Sequence, residues 1–280
     1  MPLLHALLLG LTQGLSEFLP ISSSGHLLLV PWLFGWDDFA GPGGKDLEKA
    51  FDVALHIGTV VALLAYFRGD LVPLAAAGLR SARRRAIDTT EERLFWLLAL
   101  SAVPGVITGA LLDGFITERL GAEWLIGVML VAFAIVLLVA DRRPAERPDG
   151  DFTTRDALLM GVAQAVALQP GVSRSGVTMS MARGLRFDRN ATARLSFLMS
   201  IPITSGAVAY KVGKLFVLDG GIPEGFAGAF ALGIVTSGLS GFVAVAFLIK
   251  LLRTRTFAPF VAYRVVAGLG VVALAASSLR

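Results

Sequence analysis

Two short stretches concentrate side chains that can do chemistry. The first, QGLSEFLPISSSGH, runs from Gln13 to His26, and the second, LQPGVSRSGVT, from Leu168 to Thr178. Gln13 and Glu17 are spaced i, i+4 and so share one face of a helix. Pro20 ends that helix, Ser22, Ser23, Ser24 and Gly25 supply hydroxyls and permissive backbone, and His26 follows in the next helix. In the second stretch Pro170 and Gly171 break a helix, and Ser173, Arg174, Ser175 and Gly176 form a matching tip with Thr178 just beyond. Each tip leads into a helix N-terminus, where backbone N–H groups and the positive dipole end favour an anion. An arginine fork added to two such ends suits a phosphate or diphosphate. At such a site Ser23 or His26 could attack phosphorus, with His26 alternatively an acid or base, and Glu17 could hold a divalent cation or take a proton. This chemistry fits phosphoryl transfer and anion transport equally.

These residues sit in an apolar chain. Of its 280 residues 55% are hydrophobic and only 16% charged, with a mean hydropathy of +0.72; soluble domains carry roughly 25% charged residues. Runs at Phe51–Phe67, Leu94–Leu112, Trp124–Ala140, Leu195–Leu218, Phe226–Ile249 and Phe257–Leu279 are each long enough to cross a bilayer core. They predict an all-α integral membrane protein filling residues 1–280 as a single domain. No cysteine is present, which excludes disulfides, thiolate metal sites and a cysteine nucleophile. The net charge of +4 comes from arginines gathered between apolar runs, a topology signal rather than a nucleic-acid surface. Leu3–Leu9 lacks the basic flank of a signal peptide.

The arginines orient the chain. Arg68, Arg80, Arg83, Arg84, Arg85 and Arg93 mark one inner segment, and Arg142, Arg143, Arg147 and Arg155 a second. The broken stretch 156–182 is followed by Arg183, Arg186, Arg189 and Arg194, so both its flanks belong inside and it dips into the bilayer without crossing. Before Lys45 no Lys or Arg occurs, so the broken N-terminal stretch has both flanks outside. Its first apolar piece, Leu3–Leu11, reaches only about 14 Å as helix. With Gly25 set on Gly176, Ser24 meets Ser175, Ser22 meets Ser173, Ile21 meets Val172 and Gln13 meets Gln164. The expectation is six transmembrane helices plus two re-entrant helix-loop-helix hairpins in an inverted-topology repeat, about 1–150 with hairpin 1–34 and about 151–280 with hairpin 156–182. Both termini then lie outside. Glu17, His26 and Arg174 are the ionisable residues in the interruptions and carry the functional reading. Arg264 and Lys211 read as snorkelling near helix ends, and Asp52 and His56 as structural residues near the outer interface.

The two motifs resemble the signatures of the bacterial undecaprenyl-diphosphatase family, the bacitracin-resistance proteins. The likeness continues in FDVALHIGTVVALL, LSFLMSIPITSGA and FAPFVAYRVVAG and covers nearly the whole chain. It implies a multi-pass enzyme of the bacterial cell inner membrane with its site facing outside. The implied reaction converts the C55 polyprenyl diphosphate to undecaprenyl phosphate and inorganic phosphate. That recycles the lipid carrier for peptidoglycan synthesis and confers bacitracin resistance. By position the resemblance assigns catalysis to Glu17, Ser23, His26 and Arg174. Substrate binding falls to Ser22, Ser24, Gly25, Ser173, Ser175, Gly176 and Thr178. It implies a divalent cation, Mg2+ or Ca2+, on Glu17 with Gln13, and no organic cofactor. Many family members carry Glu where this chain has Gln13, so Glu17 stands as the sole carboxylate. The implied partners are the polyprenyl diphosphate and membrane lipids, with no nucleic acid, and a homodimer is left open. A type-2 phosphatidic acid phosphatase also has an SGH element, but no histidine follows Arg174 here. A transporter or flippase for a polyprenyl phosphate is the alternative from another class.

Overall fold

The computed structural model of the chain describes residues 1–41, 43–217, 221–222 and 225–277. It is all-helical, with no strand among the described residues. Eleven helices follow one another there: α1 (Leu3–Phe18), α2 (Ser23–Phe34), α3 (Gly44–Tyr66), α4 (Arg68–Arg84), α5 (Thr90–Arg119), α6 (Glu123–Asp141), α7 (Thr154–Val166), α8 (Arg174–Gly184), α9 (Arg189–Val217), α10 (Ala227–Leu252) and α11 (Ala258–Ala276). Six of them are long and apolar enough to span a membrane: α3, α5, α6, α9, α10 and α11. These are the six apolar runs of the sequence, most of them extended by polar residues that continue the helix. Their outward side chains are aliphatic and aromatic, with Val106, Leu111, Ile135, Leu239 and Val266 all exposed, as a lipid-facing surface requires.

The four short helices that flank the interruptions form two helix-break-helix units, α1–α2 and α7–α8. At about 1.5 Å per residue these helices are roughly 17 to 24 Å long, short of a 30 Å hydrocarbon core. Helix α1 is longer than its leading apolar piece because Gln13, Ser16 and Glu17 continue it on a buried face. That helix lies against α10, and the approach is close: a Cβ on Gly14 would run into the Ser237 carbonyl and the Ser240 hydroxyl. Small residues allow this backbone proximity where lipid offers no hydrophobic driving force. Helix α7 packs in the same manner on α5, where Gly161 faces the Ser101 carbonyl. Each broken unit therefore lies on a helix from the other half of the chain. Between the halves α6 and α11 cross at Gly127 and Gly268, each glycine facing the other's carbonyl.

Two expectations need correction. The arginine-rich segment after α3 is not an irregular loop: its first part is helix α4, and the turn behind it is closed by a capping box in which Thr89 and Glu92 satisfy each other's backbone. Arg264 does not snorkel. It lies within α11, is 0% exposed, and spends its guanidinium on backbone carbonyls. Its chain position near a helix start suggests access to the interface, but packing of α11 on α6 closes that route.

Replacing Gly14 with leucine should force α1 off α10 and carry Glu17 with it. Overpacking of this kind costs about 1–3 kcal/mol or more, so the expected outcome is a lower midpoint of thermal unfolding in detergent. Leucine at Gly69, where an added Cβ meets nothing within 4 Å, should leave the midpoint within about a degree of wild type.

Candidate active site

Both breaks are built on a serine in an unusual backbone conformation. Ser22 has φ 80° and Ser173 φ 74°, a region that costs a non-glycine residue about 1–3 kcal/mol. Each offsets this by capping the helix that follows: Ser22 Oγ accepts from Gly25 N at 3.4 Å, and Ser173 Oγ accepts from Gly176 N at 3.1 Å. Ser22 Oγ also accepts from Gly171 N at 3.1 Å, and Ser175 Oγ donates to Leu19 O at 3.1 Å, so each break is pinned to the other. The glycines fit this packing for lack of a Cβ; one on Gly176 would sit 2.9 Å from Arg264 Nη1.

Arg264 completes the junction. Its Nη1 donates to Pro20 O at 3.0 Å, and its Nη2 to Gly171 O at 2.9 Å and Val172 O at 3.0 Å. Its Nε donates to Leu130 O of α6 at 3.1 Å. Carbonyls of both breaks are thus satisfied by one side chain, as buried backbone requires.

On this junction the chemically active side chains converge. Glu17, at the end of α1, accepts from Arg174 Nη2 through Oε1 at 2.7 Å. Its Oε2 accepts from Gln13 Nε2 at 3.2 Å and from the Ser23 hydroxyl. His56 Nε2 of α3 stands 3.9 Å from the same oxygen. Arg174 opens α8 and also donates to the Thr204 hydroxyl of α9. These contacts use two of its five N–H groups. A small cavity beside the pair is lined by Glu17, Thr59, Arg174, Thr204 and Ser205, and the buried Ser205 hydroxyl has no protein partner. The buried Gln13 Oε1 is likewise without one.

His26 stands apart from this cluster. Its Nδ1 lies 2.7 Å from Ser22 O and its Nε2 2.6 Å from the Tyr263 hydroxyl of α11. Ser24 is exposed at the N-terminal turn of α2. Ser22, Ser173, Ser175 and Thr178 are buried, and their hydroxyls hold the breaks together; Thr178 Oγ1 donates to Arg174 O at 2.8 Å and lies 2.6 Å from Ser196 Oγ. The structure therefore unites Glu17, Gln13, Ser23 and Arg174, and places the buried serines, Thr178, Gly25 and Gly176 in the scaffold around them. Sequence reasoning missed Thr204, Tyr263 and the approach of His56 to Glu17. All three lie in apolar stretches whose only signal was their likeness to family sequence.

Fold and site together define a polytopic helical membrane protein with a carboxylate, a hydroxyl and a guanidinium gathered where two interrupted helices meet. The chain belongs to the family described as Bacitracin resistance protein BacA, which it matches over residues 6–270. It is similar along nearly its full length to proteins named undecaprenyl-diphosphatase. It is 45% identical to that of Pelobacter propionicus over 276 residues, 98% of this chain and 97% of the relative. It is 45% identical to that of Pelotomaculum thermopropionicum over 278 residues, 99% and 98%, and 41% to that of Nocardioides sp. over 278 residues, 99% and 97%.

Removing Arg264 leaves several buried carbonyls unpaired at about 1–3 kcal/mol each. Arg264→Met is therefore expected to abolish the folded protein or lower its unfolding midpoint by many degrees, measured by size-exclusion chromatography and thermal scans in detergent. Arg174→Met leaves the buried Glu17 without its cation and should also lower the midpoint, but by less than Arg264→Met, because Gln13 and Ser23 still donate to the carboxylate.

Proposed function

We propose that this protein hydrolyses undecaprenyl diphosphate to undecaprenyl phosphate and inorganic phosphate, the activity named for its relatives. In the cell this returns the lipid carrier to peptidoglycan synthesis and opposes bacitracin. The observation that carries the reading is the Ser23 hydroxyl against Glu17, with Arg174 on the other carboxylate oxygen. That is a nucleophile beside a base, next to a cation with N–H groups to spare. A carrier that only moved the lipid would need Arg174 but no such pair.

In the proposed reaction Arg174 turns its free N–H groups to the terminal phosphate and holds it by charge and geometry. Ser23 Oγ attacks the terminal phosphorus and passes its proton to Glu17. The bond from phosphorus to the bridging oxygen breaks, and undecaprenyl phosphate leaves. Glu17 gives that proton up to solvent; water then attacks the phosphoserine phosphorus and loses a proton to Glu17, which passes it to Ser23 Oγ as the serine–phosphorus bond breaks and inorganic phosphate is released. His26 serves the same reaction as acid or base at the leaving side. Ser24, exposed on the turn before His26, borders the approach. Thr204 and Thr59 add neutral hydroxyls to the cavity wall.

The residues fit a divalent cation. Glu17 and the orphaned Gln13 Oε1 are hard oxygen donors of the kind Mg2+ or Ca2+ takes. They would hold the ion with oxygens of the substrate and water, and it would supply neutralising charge to the phosphate. Among the described residues no cluster of three or more His, Asp or Glu side chains suits a metal, so two protein ligands fit an ion that binds together with its substrate. No organic cofactor enters.

The two broken units are re-entrant hairpins of an inverted repeat in this reading. Support comes from their matching register, from the shared conformation of Ser22 and Ser173, and from the exchange of packing partners between halves. The arginine-rich ends put the α4–α5 turn and the α6–α7 segment inside the cell. The α2–α3 connection, both termini and the mouth of the site then face outside the inner membrane. Each copy carries a complete site, so a homodimer would need no residue exchanged between copies.

Purified protein with undecaprenyl diphosphate and Mg2+ should release phosphate. Glu17→Gln, Ser23→Ala and Arg174→Ala should each lower kcat/KM by about 100-fold or more. Equal release from all four proteins would sink the site, and no release from folded wild type would favour a carrier. For orientation, Asp37→Cys should react with an impermeant thiol reagent on intact spheroplasts and Ile87→Cys only after lysis; the reverse pattern would invert the topology.

A further inference from the structure

The contact between His26 and Tyr263 is not used by the cluster around Glu17, and it has a definite chemical sense. Ser22 O can only accept a hydrogen bond, so the Nδ1 it faces at 2.7 Å carries a proton. In the neutral ring Nε2 is then a bare acceptor, and the Tyr263 hydroxyl 2.6 Å away is its donor. The two rings lie nearly parallel, 19° apart in plane with centroids at 5.6 Å. The imidazole is therefore held in one tautomer and one orientation by partners on opposite edges.

Both partners are themselves fixed. Ser22 is locked in the first break by its bonds to Gly25 N and Gly171 N. Tyr263 precedes Arg264, the guanidinium buried in the junction of both breaks. Core packing does not account for the tyrosine, whose residue surface is 44% exposed. Its hydroxyl instead stands on the one ring nitrogen of His26 that has a lone pair to offer.

We propose that Tyr263 is a positioning residue for His26: its hydroxyl donates to Nε2 and, with Ser22 O on the opposite edge, fixes the imidazole in the orientation it holds during turnover. This rests on the phosphatase reading above. Tyr263 thus acts through His26, with Ser22 O holding the opposite edge of the ring throughout. Consecutive residues of α11 divide the work, Arg264 setting the backbone of the breaks and Tyr263 the ring that one break presents.

The test is steady-state hydrolysis of undecaprenyl diphosphate by wild type, Tyr263→Phe, His26→Gln and the double variant. Loss of an orienting hydrogen bond of this kind costs about 10-fold, so Tyr263→Phe should lower kcat by that factor with KM within about twofold. In the His26→Gln background the same change should have no further effect, because the ring it orients is gone. Nitrogen NMR of the ring should show His26 as the Nδ1–H tautomer in both proteins, with the Nε2 resonance moved in Tyr263→Phe to that of an acceptor without a donor. Wild-type kcat in Tyr263→Phe, a full additive loss in the double variant, or a rise in KM alone would overturn the proposal. Absence of phosphate release from wild type would overturn the phosphatase reading instead.

Discussion

One buried guanidinium holds the centre of this molecule together. Two helices stop inside the protein, after Phe18 and after Val166, and the irregular backbone that follows each exposes carbonyls that no helix bond satisfies. In lipid, water is not at hand to take them. Arg264 answers both breaks at once through Pro20, Gly171 and Val172, and anchors them to Leu130 of α6. A lysine could not do this, since a single ammonium lacks the planar fork that reaches several acceptors in different directions. The breaks persist as fixed structure because their unpaired groups are answered in this way.

The candidate catalytic group depends on that junction. Glu17 sits one residue before the end of α1, Ser23 one residue after Ser22, and Arg174 one residue after Ser173. Each is held at the start or end of a helix whose direction the junction sets. A charge pair buried among apolar helices would be costly if loosely placed. Here Glu17 has Gln13, Ser23 and Arg174 around it, and Arg174 is partly open to the cavity. The ion pair keeps both charges satisfied, and Arg174 retains the N–H groups that the proposed reaction turns to phosphate.

The serines show how local chemistry can serve two purposes. SSSG and SRSG each provide a hydroxyl that caps its own helix and a second set of groups that faces elsewhere. Ser22 and Ser173 take the cap, at the cost of a positive φ, and so give up contact with a ligand. Ser23 and Arg174, next in line, are thereby turned toward Glu17. The two breaks are alike in backbone and unlike in side chain, which puts the hydroxyl on one and the guanidinium on the other. An approximate symmetry of the scaffold thus carries an asymmetric site.

The six spans were legible in the sequence because length and apolar composition are local properties that lipid enforces directly. The interruptions were legible as well, since proline and glycine stop a spanning helix and ionisable residues are costly inside one. They named Glu17, Ser23, His26 and Arg174 as candidates. Which hydroxyl caps and which faces Glu17 was not legible, because neighbouring serines are chemically equal until the backbone turns them apart. Nor could chain position place Arg264, Thr204 or Tyr263, which lie 30 to 90 residues from Arg174 and enter only through helix packing. Residue type determined what chemistry was on hand; the crossing of α11 over α6 and the meeting of the two breaks decided which groups touch, since contact between distant segments depends on packing that no local pattern records.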